Sequence, residues 1–209
     1  IAAGDADIII AAGVESMTRV PMGTDFSWNM PAWFPFDLVP QGISAELIAA
    51  KWGLTRAALD RFSYDSHVKA AAAIQAGEFA NEIVPLTVGV NGETKTITYD
   101  EGIRFEPNWE KMASLKPAFR EDGVITAANA SQISDGAAAV LVMERGKAEA
   151  LGLKPRARFI SRVAVGSDPE LMLTGPIAAT ERALRRAGLS IGKMDLFEIN
   201  EAFASVVLA

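Results

Sequence analysis

The sequence contains no cysteine and only one histidine among its 209 residues. Without cysteine, these residues can form neither a disulfide framework nor a thiolate zinc site, and they supply no thiol nucleophile. The single histidine, His67, excludes a metal site built from several imidazoles and leaves one candidate for a serine–histidine dyad. Because His67 lies in a helical stretch with charges on both sides, we favour a solvated or helix-packing role for it.

Basic residues are also scarce, with 20 Lys and Arg against 26 Asp and Glu and a net charge of −6. Nonspecific nucleic-acid binding requires a basic face, so no nucleic-acid partner is expected. The sequence lacks the apolar run of about 20 residues that a membrane-spanning helix needs. It also lacks a Gly-rich phosphate loop, which leaves nucleotide hydrolysis without support.

The first two thirds of the chain carry clear signals for local structure. Residues 6–14 are predicted to form a buried strand, and helices are predicted over 44–52 and 55–76. Thr55 is a favourable N-cap for the second helix, and a glycine follows its last turn. Alternating residues on both sides of Asn91-Gly92 predict a hairpin with a type I′ turn.

The last third alternates strands and helices. The apolar run 137–143 predicts a strand covered on both faces, and a charged helix follows over 144–151. Strands are then predicted at 157–165 and 195–199, with a helix at 176–187 between them. A strand–helix–strand order indicates parallel pairing and an α/β class.

Asn200 follows the predicted strand 195–199, at a position where open α/β folds bind ligands. Its side-chain amide is suited to holding a catalytic water or donating to an oxyanion. Asparagine is equally a favoured N-cap, and a helix is predicted to begin at Glu201. The residue chemistry alone leaves both interpretations open.

Three further features have both a functional and a structural interpretation. Residues 126–136 are small and polar, which suits either an extended ligand lying on the backbone or a tight turn before a strand. The aromatic stretch 26–36 is suited to covering an acyl pocket or touching a membrane, but a Pro-rich loop packed on its own domain is favoured. Arg104 precedes Phe105 and is suited to adenine or phosphate, although most such arginines lie on the surface.

Together these segments closely resemble the thiolase family, the acetyl-CoA acyltransferases and 3-ketoacyl-CoA thiolases. The matching runs follow the family's order along the whole chain, at residues 4–10, 13–22, 79–85, 115–119, 126–139, 175–176 and 200–204. The resemblance implies a layered α-β-α-β-α fold of two similar halves with an inserted loop domain. We expect residues 1–147 to belong to the first half, about 21–120 to be its inserted loop domain and 152–209 to begin the second. Both halves are then incomplete.

The resemblance implies an acyltransferase that cleaves 3-ketoacyl-CoA with coenzyme A to acetyl-CoA and a shortened acyl-CoA, or runs the reverse Claisen condensation. In the family one cysteine takes the acyl group, a histidine activates it, and a second cysteine moves a proton at the α-carbon. We expect the first cysteine shortly before Ile1 and the other two residues after Ala209. The chain is then an internal fragment without activity of its own.

The resemblance also assigns roles to residues of this chain. Asn200 corresponds to the asparagine that positions a water in the oxyanion site, and Ser131 to the serine that contacts pantetheine. The remaining matches are Ala127 and Ala130 on the pantetheine wall, Arg104 and Phe119 near adenine and pantetheine, and Ala202 and Phe203 beside the acyl pocket. Gln41 and Gly42 stand where many short-chain members carry His-Met, which predicts a pocket for longer or bulkier acyl groups.

The expected partners are acyl-CoA and coenzyme A, the latter as co-substrate, with no permanently bound cofactor and no metal. The segment 21–41 is shorter than the tetramer-forming loop of some family members, so we expect a homodimer, with a tetramer as the alternative. The expected location is the cytoplasm. Two other functions remain open. One is a 3-ketoacyl synthase-type condensing enzyme, and the other is a non-catalytic acyl-CoA-binding module.

Overall fold

The computed structural model describes residues 1–17, 19–24 and 30–209, which divide into two compact units. Unit 1 comprises Ile1–Pro35, Ile133–Val165 and Ala179–Asp195. Unit 2 comprises Phe36–Gln132, Gly166–Ala178 and Leu196–Ala209. Phe26 and Trp28 of the predicted aromatic stretch, and Thr18 of the run 13–22, lie outside the described residues.

Unit 1 is built on an antiparallel ribbon of strands β1 (Ile8–Glu15) and β4 (Gly136–Met143). Ile8 lies opposite Met143 and Glu15 opposite Gly136, so the two strands pair along their whole length. Both strands were predicted, but the expected burial of the first and the expected cover on both faces of the second are wrong within the described residues. Most side chains of the ribbon are exposed because no described segment packs over it.

The helices that follow confirm the predicted pattern. Helix α4 (Arg145–Ala150) begins after Glu144, whose carboxylate accepts a hydrogen bond from the Lys147 N–H at 3.0 Å. Helix α5 (Gly175–Ala187) starts one residue before the predicted Pro176 and ends before Gly188, which has a φ of +67°. A positive φ after the last turn is the conformation for which glycine is favoured at a helix end.

The two strands predicted at 157–165 and 195–199 are not formed, and neither is their parallel pairing. Residues 162 and 164 accept hydrogen bonds from the side chains of Arg186 and Arg182 instead of joining a ladder. Apolar composition favours a strand only where a neighbouring strand is present to pair with it. In the described part of the chain neither segment has such a neighbour, and Leu196 is 91% exposed.

Unit 2 contains the helices α1 (Gln41–Lys51), α2 (Arg56–Gln75), α3 (Trp109–Ser114) and α6 (Ala204–Leu208), and the hairpin of β2 (Leu86–Val90) and β3 (Glu93–Ile97). The Thr55 side chain caps α2 by accepting from the Ala58 N–H, as predicted. Asn91 and Gly92 have φ values of 52° and 85°, which confirms the type I′ turn.

The buried core of unit 2 joins α1, α2, the segment 124–130 and α6. It is formed by Ala45, Ala49, Leu59, Ile125, Phe203 and Ala204. This core places the start of α6 against segment 124–130, part of which belongs to the run 126–136 that suits either a bound ligand or a tight turn. Among the described residues, no helix is long and apolar enough to cross a membrane.

Candidate functional site

The structure bears on one of the two interpretations of Asn200, the helix cap. Helix α6 begins at Ala204 and its N-cap is Phe203, so Asn200 lies three residues too early to cap it. The Asn200 side chain is exposed and, within the described part of the chain, makes no hydrogen bond. Its role as an N-cap is therefore excluded, and its amide remains available to a ligand or a water.

The backbone after Asn200 is fixed by pairing with the segment that carries Ser131. The Ser131 N–H donates to the Ala202 carbonyl at 2.9 Å, and the Ala204 N–H donates to the Asn129 carbonyl at 2.9 Å. Ala130 and Phe203 form an antiparallel bridge between these two bonds. The predicted pantetheine wall is therefore hydrogen-bonded to backbone that lies two and four residues after the predicted oxyanion residue.

Segment 124–131 is itself held by the buried carboxylate of Glu46 on α1. This carboxylate accepts from the N–H groups of Val124 and Ile125, each at 2.9 Å. A Cβ on Gly123 would lie 2.1 Å from Glu46 Oε1, so the chain wraps the carboxylate too closely for a side chain. Both N–H groups are thereby satisfied without a β-ladder, as buried backbone donors require.

Asn129 joins the same segment to α2. Its Oδ1 accepts from the Thr126 N–H at 2.9 Å, and its Nδ2 donates to the Val124 carbonyl at 3.0 Å and to Asp60 Oδ1 at 2.9 Å. Asp60 in turn pairs with Arg56 at 2.7 Å. Asn129 and Asp60 are almost fully buried, and every polar atom of the Asn129 side chain has a partner.

An aromatic pair covers the other side of this assembly. The rings of Phe119 and Phe203 meet edge to face, with centroids 5.9 Å apart and an angle of 77° between their planes. Phe203 is buried, whereas Phe119 remains 41% exposed. The Phe119 ring also covers Gly42, where a Cβ would lie 2.1 Å from the nearest ring atom. The ring of Phe119 thus occupies the space beside Gly42, and the larger acyl pocket stays a prediction.

Arg104 and Glu201 are hydrogen-bonded to neighbouring residues of α2. The Arg104 N–H donates to His67 Nδ1 at 3.2 Å, and the adjacent Ser66 hydroxyl donates to Glu201 Oε2 at 2.7 Å. Burial lowers the pKa of His67 from its ordinary 6.5, Arg104 lowers it further, and Glu201 opposes both. Nδ1 of His67 thus accepts a hydrogen bond that attaches the backbone of Arg104 to α2. This packing contact is similar to the helix-packing role favoured from the sequence.

All ten residues singled out from the sequence lie in unit 2. The structure brings Ala130, Ser131, Ala202 and Phe203 together through backbone pairing, and Gly42 and Phe119 through ring packing. Ala127 lies in the same segment as Ala130 but takes no part in this pairing. Within the described residues, the hydrogen bonds that connect Arg104 to Glu201, the neighbour of Asn200, pass through α2. Gln41 is an exposed residue at the start of α1. Within the described residues, no group of three or more His, Asp and Glu side chains is arranged to hold a metal ion.

The sequence reasoning missed the residues that hold the site in place, namely Glu46, Asp60 and Asn129. A usable signal existed for Glu46, because it is an acidic residue among the small and apolar residues of α1. Asn129 stood inside the run 126–136 but was not distinguished from its neighbours. Asp60 gave no signal, because an i,i+4 pair with Arg56 is typical of a solvated helix face.

Comparisons with known proteins identify the family of both parts of the chain. The family described as "Thiolase, N-terminal domain" matches residues 1–146, and "Thiolase, C-terminal domain" matches residues 153–209. An acetyl-CoA acetyltransferase of Paracoccus denitrificans is 43% identical over 99% of this chain and 56% of its own length. A 3-ketoacyl-CoA thiolase of Escherichia coli O139:H28 is 45% identical over 100% of this chain and 55% of its own length.

A solved acetyl-CoA acetyltransferase from Syntrophomonas wolfei shares the fold, with a TM-score of 0.84 and 38% identity over 99% of this chain and 55% of that one. This match confirms the predicted thiolase-type α/β fold, which the chain contains in part. The chain spans just over half the length of the relatives it matches. Both domain matches and these relatives show that the chain belongs to the thiolase family.

Proposed function

We propose that this chain is part of an acyltransferase that cleaves 3-ketoacyl-CoA with coenzyme A to acetyl-CoA and a shortened acyl-CoA, or catalyses the reverse Claisen condensation. One observation carries the proposal. The Asn200 amide is exposed and has no partner within the described residues, while the backbone next to it is bonded to the segment that carries Ser131. Relatives named acetyl-CoA acetyltransferase and 3-ketoacyl-CoA thiolase support this class of reaction.

The chemistry explains why a free amide matters at this position. Thiolysis breaks the bond between C2 and C3 of the 3-ketoacyl group and leaves the electron pair on the acetyl-CoA side as an enolate. Negative charge then develops on the thioester oxygen, and a preorganised N–H donor there lowers the barrier. Asn200 has two such N–H donors and can act directly or through one water.

Ser131, Ala127 and Ala130 provide a wall suited to the pantetheine arm. Their small side chains let an extended ligand approach the backbone, and the exposed Ser131 hydroxyl can pair with one of its amides. The half-exposed ring of Phe119 adds an apolar surface next to this wall. Ala202 and Phe203 border the acyl group, and Arg104 is near the adenine end in this proposal.

The 209 residues contain no cysteine, so the group that takes the acyl chain as a thioester has to belong to the rest of the protein. The second cysteine, which moves the α-proton, is assigned there for the same reason. We also assign the activating histidine there, because Nδ1 of His67, the one histidine of the sequence, already accepts from the Arg104 N–H. By themselves, residues 1–209 are expected to have no turnover.

Several finer features belong to the same proposal. Coenzyme A is the co-substrate, with no resident cofactor, and degradation of fatty acyl chains in the cytoplasm is the proposed setting. The first half of the fold extends to residue 147, with an inserted loop domain at about 21–120, and the second half begins at residue 152. The assembly is a homodimer, which light scattering of the full-length protein would verify.

The test is an assay of the full-length protein with a series of 3-ketoacyl-CoA substrates and coenzyme A. CoA-dependent release of acetyl-CoA together with the shortened acyl-CoA supports the proposal. Condensation of acyl groups on a carrier protein without CoA-dependent cleavage would identify a 3-ketoacyl synthase-type enzyme instead. Binding of acyl-CoA without any turnover would identify a non-catalytic binding module. Residues 1–209 alone serve as the inactive control.

A further inference from the structure

We propose that Glu46 is a positioning residue for Asn200, acting through segment 124–131. The inference rests on the proposed function, because it concerns how the oxyanion residue is held. Glu46 is a charged side chain that is only 3% exposed, yet within the described residues its carboxylate accepts hydrogen bonds only from backbone N–H groups. The two backbone N–H groups therefore determine where the Glu46 carboxylate lies.

Hydrogen bonds connect Glu46 through segment 124–131 to Ala202, which is two residues from Asn200. The carboxylate fixes the N–H groups of Val124 and Ile125 at the start of the segment. At its end, the Asn129 carbonyl and the Ser131 N–H bind the backbone of Ala204 and Ala202 at 2.9 Å. Ala202 is two residues from Asn200, so a shift of the segment moves the oxyanion residue with it.

The segment has few other means of support. Its only backbone partners among the described residues are one bond from the Ala118 N–H to the Ile125 carbonyl, a turn bond between Asn129 and Thr126, and the two bonds to residues 202 and 204. The remaining bonds come from the side chains of Glu46, Asn129 and Thr126. Since α1 and α2 supply Glu46 and Asp60, two helices form the rigid base for the site.

A positioning role predicts a specific effect of Glu46→Gln. The variant keeps the size of the side chain and one acceptor oxygen but places an NH₂ group against one of the two backbone N–H groups. Two donors cannot bond each other, so the start of the segment is released. A displacement of a catalytic group by about 1 Å can lower the rate by about 100-fold, and we expect kcat to fall by about 10- to 100-fold.

The decisive experiment is a double-variant cycle in the full-length enzyme, with kcat for 3-ketoacyl-CoA cleavage expressed per folded molecule. The four proteins are the unmodified enzyme, Glu46→Gln, Asn200→Ala and the double variant. If Glu46 acts through Asn200, Glu46→Gln should change kcat by less than about twofold once the Asn200 side chain is absent. An equal loss in both backgrounds would overturn the inference, because a general structural effect does not depend on Asn200.

A second variant guards against misfolding of the first. Gly123→Ala presses on the Glu46 carboxylate from the opposite side and leaves its hydrogen-bonding chemistry unchanged. It should give the same dependence on Asn200, and an unchanged kcat would count against the inference. Glu144→Gln alters a carboxylate that also accepts from a backbone N–H, at the start of α4 in the other unit, and is the matched control, with kcat per folded molecule unchanged.

Two failures are distinguishable in this design. An unmodified enzyme without thiolytic turnover refutes the proposed function and the inference with it. Normal turnover with multiplicative effects in the cycle refutes only the inference. Hydrogen–deuterium exchange provides a readout independent of activity, since Glu46→Gln should accelerate exchange of the Ser131 and Ala204 amides. Unchanged exchange at both amides would also overturn it.

Discussion

The ring of Phe119 lies directly over Gly42, so closely that a Cβ at position 42 would be 2.1 Å from ring atom Cδ1 and 2.3 Å from Cγ. Real Cβ contacts are never this short, and the glycine is therefore required by the ring. This relationship gives Gly42 a packing role that was not expected from the sequence. The glycine leaves the space that the Phe119 ring occupies.

Gly42→Ala is expected to destabilise the protein by about 1–3 kcal/mol, the usual cost of forcing extra volume into a packed contact. The ring has to move because its Cγ, and not only a flexible tip, is in the way. Denaturant unfolding of the full-length protein measures the change in the free energy of unfolding. In the double variant with Phe119→Ala, the added cost of Gly42→Ala should largely vanish. An unchanged cost in that background would contradict this explanation.

Phe203→Ala is expected to be the more damaging of two aromatic truncations. Phe203 is buried against Ala45, Leu59 and Ile125, and removal of a buried phenyl ring costs about 3–5 kcal/mol. Phe119→Ala should cost about 1–2 kcal/mol because its ring is 41% exposed and less apolar surface is lost. Thermal or denaturant unfolding gives both values, and a larger loss for Phe119→Ala would be inconsistent with the core as described.

Local features of the fold were predictable because each rests on neighbouring residues. Thr55 caps α2, Asn91 and Gly92 adopt positive φ, and Gly188 ends α5, all from short-range chemistry. The strands predicted at 157–165 and 195–199 failed because a strand needs a partner that composition does not reveal. The spacing of apolar residues indicates whether a segment prefers a strand, whereas the pairing of that strand depends on which segments lie beside it.

The candidate site divides in the same way. Asn200 and Ser131 were recognised because their run of residues resembles a known family, and the structure joins their segments through backbone bonds. The supporting residues Glu46 and Asn129 were missed because buried polar networks link positions some 70 residues or more apart in sequence. The packing of Phe119 on Gly42 was not predicted because these two residues are equally remote along the chain.

Stability is expected to decrease as the pH falls below about 6.5, through His67. Burial and Arg104 hold the pKa of folded His67 below 6.5, so the unfolded chain takes up a proton first. The loss begins near the unfolded value of 6.5 and is complete below the lowered pKa of the folded state. Protonation of Nδ1 also removes the acceptor for the Arg104 N–H.

The measurement is the free energy of unfolding against pH for the full-length protein and for His67→Gln, which cannot titrate. The difference between the two should change in the window below pH 6.5 and stay constant above it. A constant difference over the whole range would show that the pKa of His67 is not lowered. A change in the opposite direction would show that the protonated form is favoured by folding.

Ser131→Ala is expected to raise KM for coenzyme A about fivefold, as the loss of one hydrogen bond of about 1 kcal/mol implies. The value of kcat should stay unchanged, because the substitution keeps the backbone N–H that bonds Ala202. Steady-state kinetics of the proposed enzyme give both constants. Ser190→Ala alters an exposed serine in the other unit and is the control. An unchanged KM for coenzyme A would remove Ser131 from the binding site.

The most direct test of the account is kcat of the Asn200→Ala variant in CoA-dependent cleavage of a 3-ketoacyl-CoA. Asn108→Ala, which removes the N-cap of α3 in the same unit, controls for a general loss of stability. If Asn200 stabilises the developing oxyanion, kcat should fall by about 10²- to 10³-fold while the control keeps its kcat. A kcat within about twofold of the unmodified enzyme would contradict the assignment of Asn200 to the oxyanion site.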